Sequence, residues 1–174
     1  MILIMPWEII KWIVLAIVFI FALTALTGAP YVPSLVKELK SAFTKLYKIG
    51  PKDLIVDLGS GDGVVLKVAS DMGAKGFGVE INPFLVLLTK WRFRKNKDVK
   101  IKMGNLFKVD FPAETTVVYL FGDARDIKGM MNVIKTQAKR LKRDLFVISN
   151  GFELPGQKPV KNYRTYFLYK ISHK

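Results

Sequence analysis

The sequence predicts an open α/β fold: a mostly parallel sheet with helices between its strands, a C-terminal antiparallel hairpin, and one apolar helix in front. Three observations predict it. Short β-branched runs alternate with stretches of helical periodicity, the pattern of consecutive βα units. The stretch Asp57-Leu58-Gly59-Ser60-Gly61-Asp62-Gly63 joins Leu54-Ile55-Val56 to Val64-Val65-Leu66-Lys67-Val68-Ala69, which makes a strand, a glycine turn and a helix. The last segment, Val160 and Tyr163–Ile171, alternates aromatic and apolar residues as a hairpin does.

The chain has 174 residues, enough for one domain with a sizeable core. No cysteine is present, which excludes disulfides, thiolate metal sites and a Cys nucleophile. The single histidine, His173, lies in the last residues and is expected to be a solvated tail residue. A Ser-His-Asp hydrolase and a His-ligated metal site are therefore not expected, and no metal is. The net charge of +14 suits nucleic acid or an anionic membrane surface and does not choose between them.

Residues 1–28 are expected to form a transmembrane helix, and residues 29–174 a single domain without repeats. From Trp12 to Leu26 every residue is apolar except Thr24. A helix from Pro6 to Thr27 spans roughly 33 Å, against about 30 Å for a hydrocarbon core. Glu8 and Lys11 lie one turn apart near its start, and Trp7 and Trp12 fit an interfacial belt. A cleaved signal peptide is the rival, but it opens with basic residues, and here none precedes Lys11. Lys37, Lys40, Lys45 and Lys48 follow the span, so the positive-inside rule puts the body of the protein in the cytoplasm, behind a single-pass anchor.

Gly28-Ala29-Pro30 breaks that helix, and Ser34 is a good N-cap for an amphipathic helix over 35–47. After the glycine turn a helix runs to about Met72-Gly73. Gly76–Glu80 is the second strand, and Asn82-Pro83 opens a helix to about residue 95 whose apolar side is expected at Phe84, Leu87, Leu88 and Trp91. Val99–Met103, Thr115–Phe121 and Leu145–Ser149 are further strands, and Ile127–Leu141 is a helix.

The glycines of the turn fall as G-x-G-x-G, whereas the dinucleotide fingerprint is G-x-G-x-x-G and wants glycine where Val64 stands. Glycines let the backbone approach a ligand, and the following helix offers free N–H groups. Asp57 and Asp62 repel a pyrophosphate but suit a cationic ligand. Glu80 follows Asp57 at about the spacing at which an acid ending the second strand accepts hydrogen bonds from ribose hydroxyls.

Four stretches resemble one family: Ala29-Pro30-Tyr31-Val32-Pro33-Ser34, Asp57–Gly63, Gly78-Val79-Glu80-Ile81-Asn82-Pro83 and Gly104-Asn105-Leu106-Phe107. In this order behind an N-terminal hydrophobic helix, they are similar to the small membrane-anchored protein-lysine methyltransferases, which include the mitochondrial enzymes acting on the c-ring protein of ATP synthase and the adenine nucleotide translocase. The resemblance implies a Rossmann-like class I methyltransferase fold, S-adenosylmethionine as cofactor, and N-methylation of lysine in a membrane or membrane-proximal protein. It implies a cofactor site at Tyr31, Asp57, Gly59, Ser60, Gly61, Asp62, Gly63, Glu80, Ile81, Asn82, Asn105 and Leu106, with Asn105 beside the adenine. Gly122-Asp123-Ala124-Arg125-Asp126 departs from the pattern of the mitochondrial members.

On the acceptor side the candidates are Tyr31, Asp123 and Phe121. Tyr119 is expected in the core, and Asp123 is equally readable as a helix cap. Ligands of open α/β sheets bind outside the carboxyl ends of the strands. The helix 35–47 must run down before the first strand comes up, so its start is expected at the ligand edge and the site close to the membrane. The basic clusters Lys90–Lys97 and Lys139–Arg143 are then expected away from the ligand, and nucleic acid is not expected there. The alternatives are methylation of a lipid or hydrophobic small molecule, and a nucleic-acid-binding or modifying protein using the basic surface.

Overall fold

The computed structural model describes residues 6–27, 36–122 and 126–174, and on the first helix the side chains of residues 6–19 and 22. Expectations placed on Tyr31, on the rest of the segment before Val36, and on Asp123 lie outside the described residues. The chain divides into two compact units at Val32/Pro33.

The first unit holds helix α1, Trp7–Thr27. Trp7, Trp12 and Phe19 are 74%, 66% and 67% exposed, and Ile13, Val14, Leu15 and Val18 are exposed beside them. Glu8 and Lys11 pair at 3.6 Å in its first turns. Among the described residues no helix is long and apolar enough to cross a membrane, so the span expected over 1–28 is not found.

The second unit is a seven-stranded sheet of order β3-β2-β1-β4-β5-β7-β6. Its strands are β1 Leu54–Leu58, β2 Lys75–Glu80, β3 Val99–Met103, β4 Val117–Phe121, β5 Leu145–Asn150, β6 Lys161–Tyr163 and β7 Tyr166–Ile171. The first five are parallel, and β7 joins β5 antiparallel with Asn150 opposite Tyr166. All five residues of β1 are buried, as a central parallel strand covered on both faces requires.

Side-chain alternation divides the core into two. One face carries α2 (Val36–Lys45) and α3 (Val64–Asp71), which bury Leu39, Phe43, Leu66 and Ala69 against Ile55, Tyr119 and Ile148. The other carries α5 (Ile127–Leu141), which buries Met130, Ile134 and Ala138 against Val56, Val118 and Tyr169. Tyr119 is a core residue as expected, edge-on to Phe43 at 6.0 Å. Arg164, in the turn between β6 and β7, pairs with Glu38 near the start of α2 at 2.5 Å. Tyr47, just past the end of α2, packs its ring at a tilt against Phe146 near the start of β5, with centroids 4.7 Å apart. Helix α2 therefore begins at the carboxyl edge of the sheet and runs down to the opposite edge.

Two expectations are corrected. Helix α4, Pro83–Arg92, buries Leu85, Val86 and Thr89, while Phe84, Leu87 and Trp91 are exposed, because five successive apolar residues let either face pack inward. His173 is not a free tail: it is half-buried, with its ring 2.7 Å from Asp144. Asp144 also pairs with Lys170 at 3.0 Å. The hydrogen bonds from His173 and then Lys170 hold the Asp144 carboxyl well below the usual carboxylate range.

Candidate functional site

The site is built from the carboxyl ends of β1 and β2. Strand β1 delivers Asp57 into a turn whose Gly59, Gly61 and Gly63 have φ of 82°, 52° and 79°. Only glycine adopts such a succession without strain. The turn hangs on β2 by the N–H groups of Gly59 and Ser60, which donate to the Val79 carbonyl at 2.9 and 3.0 Å. At Gly78 an added Cβ would stand 2.7 Å from the Ser60 hydroxyl and 2.8 Å from Leu66, so β2 needs glycine for the turn and α3 to pack against it. At Gly59 a Cβ would meet nothing within 4 Å, so that backbone is open to a ligand.

Glu80 ends β2 and is 8% exposed. Its carboxylate accepts the Gly61 N–H at 2.9 Å and the Asn82 N–H at 2.8 Å, one on each oxygen. Asn82 in turn caps α4 by accepting the Phe84 and Leu85 N–H groups at 2.9 and 3.3 Å. Each Glu80 oxygen therefore keeps acceptor capacity, and the carboxylate is fixed in place.

Asp57 is 2% exposed, and its Oδ2 has no hydrogen-bond partner; the buried Ser60 hydroxyl has none either. Burial first, then the charges of Glu80 and Asp62, push the Asp57 carboxyl well above its ordinary value. Two buried polar groups without partners at a glycine turn mark where a ligand supplies the missing contacts.

Three expectations change in meaning. Asp62 was expected to face a cation from a ligand; it has one from the protein as well, since Arg92 reaches its carboxylate at 3.2 Å and its carbonyl at 2.5 Å. The C-terminal end of α4 is therefore not remote from the ligand loop, because Arg92 spans back to it. Asn105 is exposed, and its side-chain oxygen caps the 3-10 turn Leu106–Lys108 by accepting the Phe107 N–H at 2.8 Å. Of the remaining predicted residues, Ile81 is 51% exposed beside Glu80, Leu106 is half-buried against the α5 face, and Phe121 is half-buried at the end of β4.

Sequence reasoning missed Thr89 and Arg92. Thr89 is fully buried, donates its hydroxyl to the Gly61 carbonyl at 3.0 Å, and sets its methyl where a Cβ on Gly63 would lie, 2.5 Å away. A threonine on the buried stripe of a helix following the second strand is the available signal, but it shows nothing until the helix is docked on the turn.

A 3-2-1-4-5-7-6 sheet with a G-x-G-x-G turn and a fixed acid ending β2 defines a class I methyltransferase domain. The chain belongs to the ANTKMT methyltransferase domain family, whose family model matches residues 57–161. It is 32% identical over 136 residues to a protein-lysine N-methyltransferase of Saccharolobus islandicus, covering 75% of this chain and 81% of that protein. It is 30% identical over 133 residues to the lysine N-methyltransferase of Homo sapiens named for the C subunit of ATP synthase, covering 75% of this chain and 54% of that protein. The chain thus spans about half the length of the human relative and of its Xenopus laevis counterpart, at 54% and 56%. The fold matches an RNA methyltransferase from Salinibacter ruber, solved in complex with S-adenosyl-L-homocysteine, with a TM-score of 0.71, 24% identity, and coverage of 82% of this chain and 95% of that one.

The residues fit S-adenosylmethionine, the cofactor of this class. The unpartnered Asp57 and Ser60 oxygens, the open backbone at Gly59 and the fixed Glu80 carboxylate offer acceptors to an ammonium and to vicinal hydroxyls. Among the described residues no group of His, Cys, Asp or Glu could hold a metal ion.

Proposed function

We propose that this protein is an S-adenosylmethionine-dependent protein-lysine N-methyltransferase whose acceptor is a membrane or membrane-proximal protein. The observation that carries the reading is the pair of buried carboxylates, Glu80 fixed by two backbone N–H groups and Asp57 left with an unpartnered oxygen, in a chain 32% identical to a named protein-lysine N-methyltransferase.

In this reading Glu80 accepts the ribose hydroxyls, Asp57 and Ser60 meet the ammonium end, and Ile81, Asn105 and Leu106 border the adenine. The cofactor supplies an electrophilic methyl group on a sulfonium. What the chain must do is align a neutral amine behind that methyl and keep water away. A lysine amine has a pKa near ~10.4 in water, so the acceptor site must favour its deprotonated form. Phe121, at the end of β4, supplies an apolar wall that disfavours the ammonium. Tyr31 and Asp123 are the proposed polar partners of the amine.

The membrane part of the proposal assigns α1 to the bilayer, as a single-pass anchor with the domain on the cytoplasmic side. Its support is the exposed apolar surface of α1, with Trp7 and Trp12 at one end, and the four lysines between Lys37 and Lys48 against Lys11 alone before them. Helix α2 starts at the carboxyl edge, where Glu38 meets Arg164 of the β6–β7 turn, and this is the edge that also carries the cofactor turn, which suits an acceptor at a membrane surface. Incubating the full chain in membranes with methyl-labelled S-adenosylmethionine tests the reading. Label in a protein band, at lysine on hydrolysis, supports it; label in the lipid extract or in RNA overturns it. Val14→Asp/Val18→Asp should release the protein from floated membranes, and retention there would refute the anchor.

A further inference from the structure

Leu87 and Trp91, on the exposed face of α4, belong to neither the cofactor site nor the core. Phe84, Leu87 and Trp91 recur at helical spacing and are 39%, 68% and 62% exposed. The Arg94 guanidinium lies over the Trp91 ring at 4.5 Å. Lys90 precedes Trp91, and Lys95 and Lys97 follow, with Lys90 and Lys97 exposed. Over residues 83–97 there is no acid at all, and the first, Asp98, comes just before β3. The opposite face of the helix is used by the domain itself, through Leu85, Val86 and Thr89, and the wide exposure of Leu87 and Trp91 is not explained by that packing.

We propose that this face of α4 is an interfacial contact for an anionic lipid surface, with Phe84, Leu87 and Trp91 entering the headgroup boundary and Lys90, Arg94, Lys95 and Lys97 meeting the lipid phosphates. Charge complementarity selects the occupant. A second copy of a +14 chain would bring the same cations against themselves. A nucleic acid matches the charge but not the stripe, because Leu87 offers nothing to a phosphate backbone. An apolar row ending in a tryptophan with cations around it is the pattern of helices that lie in a membrane interface, where each nearby Lys or Arg strengthens the hold on an anionic leaflet. Arg94 over Trp91 keeps its charge at headgroup depth while covering the ring. The contact does not depend on α1 entering the bilayer. It orients the domain, since α4 begins at the carboxyl edge immediately after Glu80.

The protein's three tryptophans are Trp7, Trp12 and Trp91, so the test is spectroscopic. In the full chain carrying Trp7→Phe and Trp12→Phe, Trp91 is the sole indole. With vesicles rich in phosphatidylglycerol, its emission should shift to the blue and be quenched by brominated acyl chains, with less quenching in phosphatidylcholine vesicles and loss as salt is raised. Adding Leu87→Glu should abolish the quenching while circular dichroism stays unchanged. Unquenched, solvent-like Trp91 emission on anionic vesicles overturns the proposal. So does a shift that follows protein concentration without lipid, which would mean self-association, or one produced by RNA and not by vesicles. The complementary Trp91→Phe chain reports Trp7 and Trp12, so failure of α1 to enter the bilayer is read separately.

Discussion

Two aspartates at opposite ends of β1 show how this fold separates structure from chemistry. Asp53 precedes the strand and Asp57 lies within it near the other end; both are buried, at 8% and 2% exposure. Asp53 is fully partnered: Tyr47 and Thr116 hydroxyls donate to one oxygen at 2.9 and 2.8 Å, and the Gly50 N–H donates to the other at 3.0 Å. Burial, reinforced by Asp53, pushes the Tyr47 phenol up to about 12, so that hydroxyl stays protonated and donating through the physiological range. Asp57 has an unpartnered oxygen and two carboxylates for neighbours. One end of the strand is closed by its own hydrogen bonds, and the other holds its polar groups open for something else.

That contrast can be broken by mutation. The largest effect is expected at Glu80. Glu80→Ala should weaken S-adenosylhomocysteine binding at least about 100-fold by calorimetry, since hydrogen bonds to a charged group contribute roughly 1.5–3 kcal/mol each. Next is Gly63→Ala, which combines a left-handed φ with the 2.5 Å approach of Thr89. It should cost roughly 2–4 kcal/mol in urea unfolding, and adding Thr89→Ser, which removes the methyl and keeps the hydroxyl, should recover the steric share alone.

The two aspartates should then respond in opposite ways. Asp53→Ala should lower stability by roughly 1–3 kcal/mol per donor left unpaired and leave cofactor affinity unchanged. Asp57→Asn should keep or raise the melting temperature of the free protein and weaken cofactor binding. The pH dependence carries the same sign. With its folded pKa raised, Asp57 contributes most to stability below its unfolded value near 3.8 and loses that contribution as pH rises through the folded value. Affinity for a cationic ligand should rise over that same interval, and Asp57→Asn should flatten the rise. The smallest effect is expected at Arg92. Its pair with Asp62 is partly exposed, so Arg92→Gln should change stability by about 1 kcal/mol or less and cofactor affinity by only a few-fold.

Much of this was legible in the sequence, for identifiable reasons. Strand β3 and helix α5 run as the pattern predicts, Val99–Met103 and Ile127–Leu141, because period and flanking turn residues agree there. The glycine turn was legible because a G-x-G-x-G run between a β-branched strand and a helix has few other uses. The facing of α4 was not, because Phe84-Leu85-Val86-Leu87-Leu88 is apolar on every side and periodicity cannot choose the buried one. Thr89 and Arg92 were hidden for a related reason: their contacts to Gly61 and Asp62 cross 28 and 30 positions of sequence and exist only once α4 is docked. The partnering of Asp53 and the isolation of Asp57 are likewise tertiary facts, although both residues flank the same apolar run.

The most direct test of the account is a calorimetric titration of S-adenosylhomocysteine into the wild-type, Asp53→Asn and Asp57→Asn proteins, each with its melting curve recorded without ligand. The account predicts saturable binding to the wild type, binding preserved in Asp53→Asn despite a lower melting temperature, and binding weakened in Asp57→Asn with no loss of melting temperature. Absence of binding to the wild type, or equal losses of affinity in the two variants, would contradict it.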